Sequence, residues 1–127
     1  MSDTGDRTLS IAVIGCGAFG RNHARVYHEI QKSGEPVRLA AVVDVDRARA
    51  DSLASEFECS AYSSVDELLS AGLVDAASVA VPTVHHAAIA CKLMKAGVDV
   101  LIEKPLTSTL AEADELIELA DRERRIA

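Results

Sequence analysis

The chain has no tryptophan, and aromatic residues are only 3% of its 127 positions. Its core must therefore be aliphatic, drawn from the Ala, Val, Leu and Ile that carry most of a 49% hydrophobic composition. Such a core suits a parallel sheet buried on both faces. Cysteine is scarce as well. Cys16, Cys59 and Cys91 are odd in number, far apart and without metal-ligand spacing, so neither a disulfide framework nor a zinc site is implied. Basic charge is in deficit, with 13 Lys+Arg against 20 Asp+Glu and a formal net charge of -7. That argues against nucleic acid and against an anionic membrane surface as partners. No apolar run approaches the length of a membrane span, and the polar opening "MSDTGDRT" does not read as a signal peptide. The expectation is a reduced, cytoplasmic protein with a flexible stretch over 1–8 and one domain of common size over 9–127.

What is present is a regular alternation. Leu9 to Ile14 is an apolar run ending at Gly15, a first strand. Ala18 to about Lys32 reads as a helix closed by Ser33, Gly34 and Pro36. Val37 to Val43 is a second strand ending at Asp44, and Arg47 to Phe57 an Ala-rich helix. Ser60 to Tyr62 is a brief third strand. "SSVDELLSAG" carries a Ser64 cap with Glu67 three residues on, the pattern of a capping box, and stops at Gly72. Asp75 to Val81 is a fourth strand, Thr83 to Ala96 a helix, and Val98 to Ile102 a fifth strand. Thr107 or Ser108 opens a last helix to about Arg124. Strands alternating with helices imply right-handed crossovers and a doubly wound parallel sheet, the three-layer Rossmann arrangement of the α/β class.

Gly15, Cys16, Gly17, Ala18, Phe19 and Gly20 form a G-x-G-x-x-G pattern between the first strand and the first helix. Glycines cluster in many turns, and an ordinary tight turn is the alternative. The placement favours a phosphate cradle. Gly15 permits the turn, Gly17 lets a pyrophosphate approach the backbone, and Gly20 lets the helix pack against the strand. The helix N-terminus then offers N–H groups and a partial positive charge. Asp44 stands 24 residues beyond Gly20, by 44 − 20, at the end of the second strand. An acid about 20 residues on reads the adenosine ribose, and a carboxylate there favours NAD over NADP. The alternative for Asp44 is a helix N-cap. Arg47 and Arg49 are near enough to blur the preference, although a solvated helix face is the favoured reading of Arg47. His23 reads as a helix residue packing on the neighbouring loop, and Cys16 as a small filler of the turn with no activating base or cation in view.

These residues, with "VPTVHH" after the fourth strand and "VLIEKPLT" after the fifth, resemble the cofactor domain of the Gfo/Idh/MocA oxidoreductases, the family of glucose–fructose oxidoreductase and inositol dehydrogenase. The resemblance runs from about Leu9 to the end. It implies an NAD site that takes in Gly15, Gly17, Ala18, Phe19, Gly20, Asp44, Pro82, Thr83, His86, Glu103, Lys104 and Pro105, with no metal. It also implies that Lys104 is the catalytic lysine beside the nicotinamide and the substrate hydroxyl, with Pro105 stiffening its turn. Without the motif, Lys104 is a surface lysine at a strand end and His86 a helix-start hydrogen-bonding group. His85 has no counterpart in the motif. "GRNHARVY", "AVPT" and "VLIEKPLT" are similar to members acting on the 3-hydroxyl of UDP-N-acetylglucosamine.

The family carries a second domain that supplies most sugar contacts and the homo-oligomer interface. The chain stops at "RERRIA", where a sixth strand is expected. The isolated chain is therefore expected to bind NAD without turning over a sugar or nucleotide-sugar substrate, as a monomer or a weakly self-associating species. Two other functions compete: a non-catalytic NAD(H)-binding regulatory or redox-sensing module, and a different Rossmann enzyme such as an amino-acid dehydrogenase. The intact Lys104 speaks against the first and "EKP" against the second.

Overall fold

The computed structural model describes residues 8–72, 74–81 and 86–102. Five strands and four helices alternate through them: β1 (Leu9–Ile14), α1 (Ala18–Lys32), β2 (Val37–Val43), α2 (Arg47–Phe57), β3 (Ser60–Tyr62), α3 (Val65–Ala71), β4 (Ala76–Val79), α4 (His86–Lys95) and β5 (Asp99–Ile102). All strand pairs are parallel and the sheet order is β3-β2-β1-β4-β5. The order reverses between β1 and β4. In open α/β sheets that reversal leaves a crevice beyond the carboxyl ends of the strands.

Each face of the sheet has its own aliphatic core. Val13, Leu39 and Val42 pack with Ala24 of α1 and with Ala50, Leu53 and Phe57 of α2. Ala12, Ile14, Ala41, Val43, Ala77 and Val79 pack on the other side with Leu68 of α3 and Leu93 and Met94 of α4. A strict two-residue period would put Leu39 and Ala41 on the same face. They lie on opposite faces because the β1–β2 register slips by one residue, with Ile11 opposite Leu39 and Ala12 opposite Ala41. Ala40 is the extra residue, and the bulge turns the rest of β2 over.

The ends of the elements are set by identifiable groups. The Asp46 side chain accepts the Arg49 N–H and caps α2. Ser64 Oγ accepts the Glu67 N–H at 3.1 Å. The returning half of that box is displaced by one residue: Glu67 Oε1 accepts the Ser63 N–H at 2.8 Å and its hydroxyl at 3.0 Å. Those bonds favour the ionised form and hold the Glu67 carboxyl below its usual range, with Arg47 adding to the effect. β4 is shorter than the expected Asp75 to Val81. Its flanks still touch β1, through Asp75 N–H to Ser10 O and Ala80 N–H to Ile14 O, both 2.8 Å. Beyond Ile14 the β1 chain turns away at Gly15, so the ladder ends. β5 starts one residue later than expected because Val98 N–H closes α4 on Leu93 O at 3.0 Å. The expected last helix, and the N-terminal part of the helix expected from Thr83, lie outside the described residues.

Candidate dinucleotide site

Gly15 has a φ of 99°, and a Cβ on it would meet Ala80 O at 2.6 Å. The turn out of β1 therefore demands glycine both for its dihedral and for its closeness to β4. Its N–H donates to Val43 O at 2.7 Å, tying the turn to β2 as well. Gly20 lies on the buried side of α1, where a Cβ would come within 1.7 Å of Gly15 O. It is a packing glycine that brings α1 down onto the turn.

Gly17 differs from both. Its φ is -76°, which any residue adopts, and a Cβ there would meet nothing within 4 Å. Neither strain nor packing among the described residues calls for glycine at this position. An approaching ligand does. Gly17 is the N-cap of α1, with no side-chain capping bond and no acidic residue in the first turn. The first intrahelical bond runs from Arg21 N–H to Gly17 O at 2.8 Å. The N–H groups of Ala18, Phe19 and Gly20 precede it and have no carbonyl four residues back inside the helix. Uncapped donors at the positive end of a 15-residue helix suit an anion, so a pyrophosphate fits here.

Asp44 sits at the end of β2 with its side chain only 10% exposed. Its Oδ2 accepts the Cys16 N–H at 2.8 Å and its Oδ1 accepts the Asp46 N–H at 2.8 Å. The carboxylate thus pins the glycine turn to the end of β2. The cap of α2 is Asp46, which removes the helix-cap alternative for Asp44. A carboxylate has about four acceptor positions, so Asp44 keeps capacity for ribose hydroxyls after both backbone bonds. The two arginines separate. Arg49 Nη1 lies 3.7 Å from Asp44 Oδ2, while Arg47 turns to Asp51 at 3.0 Å and Glu67 at 4.0 Å.

A cavity of about 580 Å³ opens over these groups. Gly15, Gly17 and Asp44 line one end of it, with Arg49 beside them. Ser63, Ser64 and Asp66 of the β3–α3 turn, with Ile89 and Lys92 of α4, line the other. Val45 projects at its rim, 92% exposed. Ala18, Phe19 and Gly20 do not line the cavity, and Phe19 is 70% exposed. His86 begins α4. Pro82, Thr83, Glu103, Lys104 and Pro105 lie outside the described residues. Sequence reasoning missed Val45, Asp66, Ile89 and Lys92 as cleft residues. Only the cap at Ser64 signalled that the β3–α3 turn was ordered.

Cys16 and Cys59 take no part in this chemistry. Cys16 is buried behind the turn, and its pKa is pushed up from 9.0 to about 12 by burial first and then by Asp44 and Cys59. Burial raises Cys59 to about 11. Both thiols stay protonated and inert near neutrality. His23 is half-buried, its ring edge-on to Tyr27 with centroids 6.5 Å apart, a packing role on α1. Among the described residues no group of His, Cys, Asp and Glu is arranged to hold a metal ion, and no helix is long and apolar enough to cross a membrane.

A glycine cradle at a helix N-terminus, an acid at the end of β2 and a crevice at the sheet's switch point define a dinucleotide-binding domain of the doubly wound class. The chain belongs to the Gfo/Idh/MocA oxidoreductase family with an NAD-binding Rossmann fold, which it matches over residues 9–127. It is 46% identical over 112 residues to UDP-N-acetylglucosamine 3-dehydrogenase of Acidithiobacillus ferrooxidans, covering 88% of this chain and 33% of that protein. A solved structure of that enzyme superposes with a TM-score of 0.83 over 93% of this chain and 36% of the other, at 42% identity. GenD2 from gentamicin A biosynthesis, solved in complex with NAD, gives a TM-score of 0.85 at 32% identity, over 98% of this chain and 35% of the other. An inositol 2-dehydrogenase of an Arthrobacter species is 34% identical over 116 residues, 91% of this chain and 34% of that protein. The chain spans about a third of the length of these curated relatives.

Proposed function

We propose that these residues are the cofactor half of an NAD-dependent oxidoreductase acting on a sugar or nucleotide-sugar hydroxyl, the 3-hydroxyl of UDP-N-acetylglucosamine in particular. The observation that carries the cofactor site is Gly17, a glycine that nothing among the described residues requires, at an uncapped helix N-terminus. The substrate reading rests on the similarity to the A. ferrooxidans enzyme. When bound, NAD supplies the hydride acceptor.

The rest of the assignment concerns this chain's own side chains. The first turn of α1 holds the pyrophosphate. Asp44 accepts hydrogen bonds from ribose hydroxyls and repels a 2′-phosphate, which favours NAD over NADP. Lys104, assigned from the "EKP" motif, takes the hydroxyl proton as a neutral amine while the hydride leaves for NAD, and the ammonium so formed donates a hydrogen bond to the ketone oxygen. Cys16 and Cys59 form no disulfide, which fits a reducing compartment, and we assign the protein to the cytoplasm.

The test uses a protein of the relatives' full length that carries these residues as its cofactor domain. With UDP-N-acetylglucosamine and NAD, Lys104→Ala lowers kcat by about 10²–10⁴-fold and leaves the melting temperature unchanged. A variant that keeps its kcat but loses stability makes Lys104 a structural residue. Absence of NADH formation by the unaltered enzyme removes this substrate.

A further inference from the structure

We propose that the Asp66–Lys92 ion pair reads the base of the cofactor and selects adenine. The inference rests on the reading of the cleft as an NAD site. Pyrophosphate at Gly17 and ribose at Asp44 set a direction along the cavity, and what remains beyond Asp44 is the end between the β3–α3 turn and α4. That end has the composition a purine needs. Val45, 92% exposed at the rim, and Ile89 of α4 supply apolar surface for the two faces of a flat ring. Asp66 of α3 and Lys92 of α4 line the same cavity, with Lys92 Nζ 3.1 Å from Asp66 Oδ1 and 3.3 Å from Oδ2.

The pair presents an acceptor beside a donor. The Asp66 carboxylate keeps lone pairs after meeting Lys92, and the ammonium keeps N–H groups after meeting Asp66. The outer edge of adenine offers the complement, an amino donor at position 6 beside the ring acceptor N1. Hypoxanthine reverses it, with an oxygen acceptor at position 6 beside an N1–H donor. A base held by its ribose on Asp44 has its edge fixed, so the reversed pattern sets oxygen against carboxylate and N–H against ammonium. Recognition by paired polar groups discriminates through the groups it leaves unmatched. Both side chains are exposed, with half or more of their surface open, which holds the effect to the order of tenfold.

The experiment compares Kd for NAD with Kd for its deaminated analogue, nicotinamide hypoxanthine dinucleotide, by calorimetric titration. The unaltered protein binds NAD about tenfold more tightly. Exchanging the pair, Asp66→Lys with Lys92→Asp, restores a bridge between α3 and α4 while swapping donor and acceptor, so the ratio falls to one or inverts. Asp66→Asn, a milder change at an exposed position, brings the ratio toward one because the amide can present either group. A purely structural bridge would move the melting temperature and leave the ratio alone. Equal binding of the two dinucleotides by the unaltered protein, or one ratio across all three proteins, overturns the proposal and leaves the NAD site standing. Failure to bind NAD at all overturns both.

Discussion

At one end of the cleft Gly15, Gly17 and the first turn of α1 present backbone N–H groups. At the other end Val45, Asp66, Ile89 and Lys92 present side chains. The backbone end is locked from beneath: Gly15 bonds to Val43 O, Cys16 to Asp44, and Gly20 packs on Gly15 O. At the side-chain end an exposed ion pair bridges two helices. A pyrophosphate is common to all dinucleotides and can be met by rigid main chain. A base is what distinguishes them, and reading it calls for side chains. On the reading proposed above, affinity belongs to the first end and discrimination to the second.

The hardest way to break the phosphate end is to fill its packing glycine. Gly20→Ala puts a Cβ within 1.7 Å of Gly15 O, and no flexible side chain is there to move aside. Overpacking costs of about 1–3 kcal/mol are typical, and a backbone clash lies at or above the upper limit. Thermal unfolding should show a fall in Tm consistent with about 3 kcal/mol or more. An unshifted Tm would mean that α1 is not seated on the turn as described.

Gly17→Val sharpens the same comparison by separating binding from folding. A Cβ at this position meets no heavy atom within 4 Å beyond its chain neighbours, so Tm is expected to stay near that of the unaltered protein. NAD affinity falls, because even one lost charge-assisted hydrogen bond is about 1.5–3 kcal/mol, on the order of tenfold to a hundredfold in Kd. Calorimetry and a melting curve on one sample read both quantities. Full affinity would leave the cradle as only a turn.

The smallest effect lies beneath the cradle. Cys16 titrates at about 12 in the folded protein against 9.0 for an ordinary thiol. A group with a raised folded pKa contributes stability that is intact below the unfolded value and is lost as pH rises toward the folded one. Stability should therefore decline from about pH 9 upward. The decline should be shallower in Cys16→Ala, as measured by Tm across an alkaline series. Parallel slopes in the two proteins would show that the thiol ionises alike when folded and unfolded.

Much of the phosphate end was legible in the chain because its signals are local. The G-x-G-x-x-G run, the apolar strand before it and the acid closing β2 all fall within residues 9–44. Every strand was located, with β4 and β5 trimmed by one or two residues at ends where hydrogen bonds to neighbours decide the boundary. The base end was not legible. Asp66 and Lys92 are 26 residues apart and meet only because α3 and α4 cover the same face of the sheet. The division of labour between Arg47 and Arg49 was hidden for a similar reason. Both stand in the first turn of α2, and only the positions of Asp51, Glu67 and Asp44 decide where each turns. The bulge at Ala40 had no local signal either, since "VRLAAVV" is apolar on both sides of it.

The central claim is that Asp44, pinned by the Cys16 and Asp46 N–H groups at 2.8 Å each, makes this cleft a site for NAD. The most direct measurement is a pair of calorimetric titrations of the unaltered protein, with NAD and with NADP, at one ionic strength. NAD should bind and NADP should bind more weakly, because a 2′-phosphate would have to approach a carboxylate that cannot turn away. Equal or tighter binding of NADP would contradict it and hand the selectivity to Arg49.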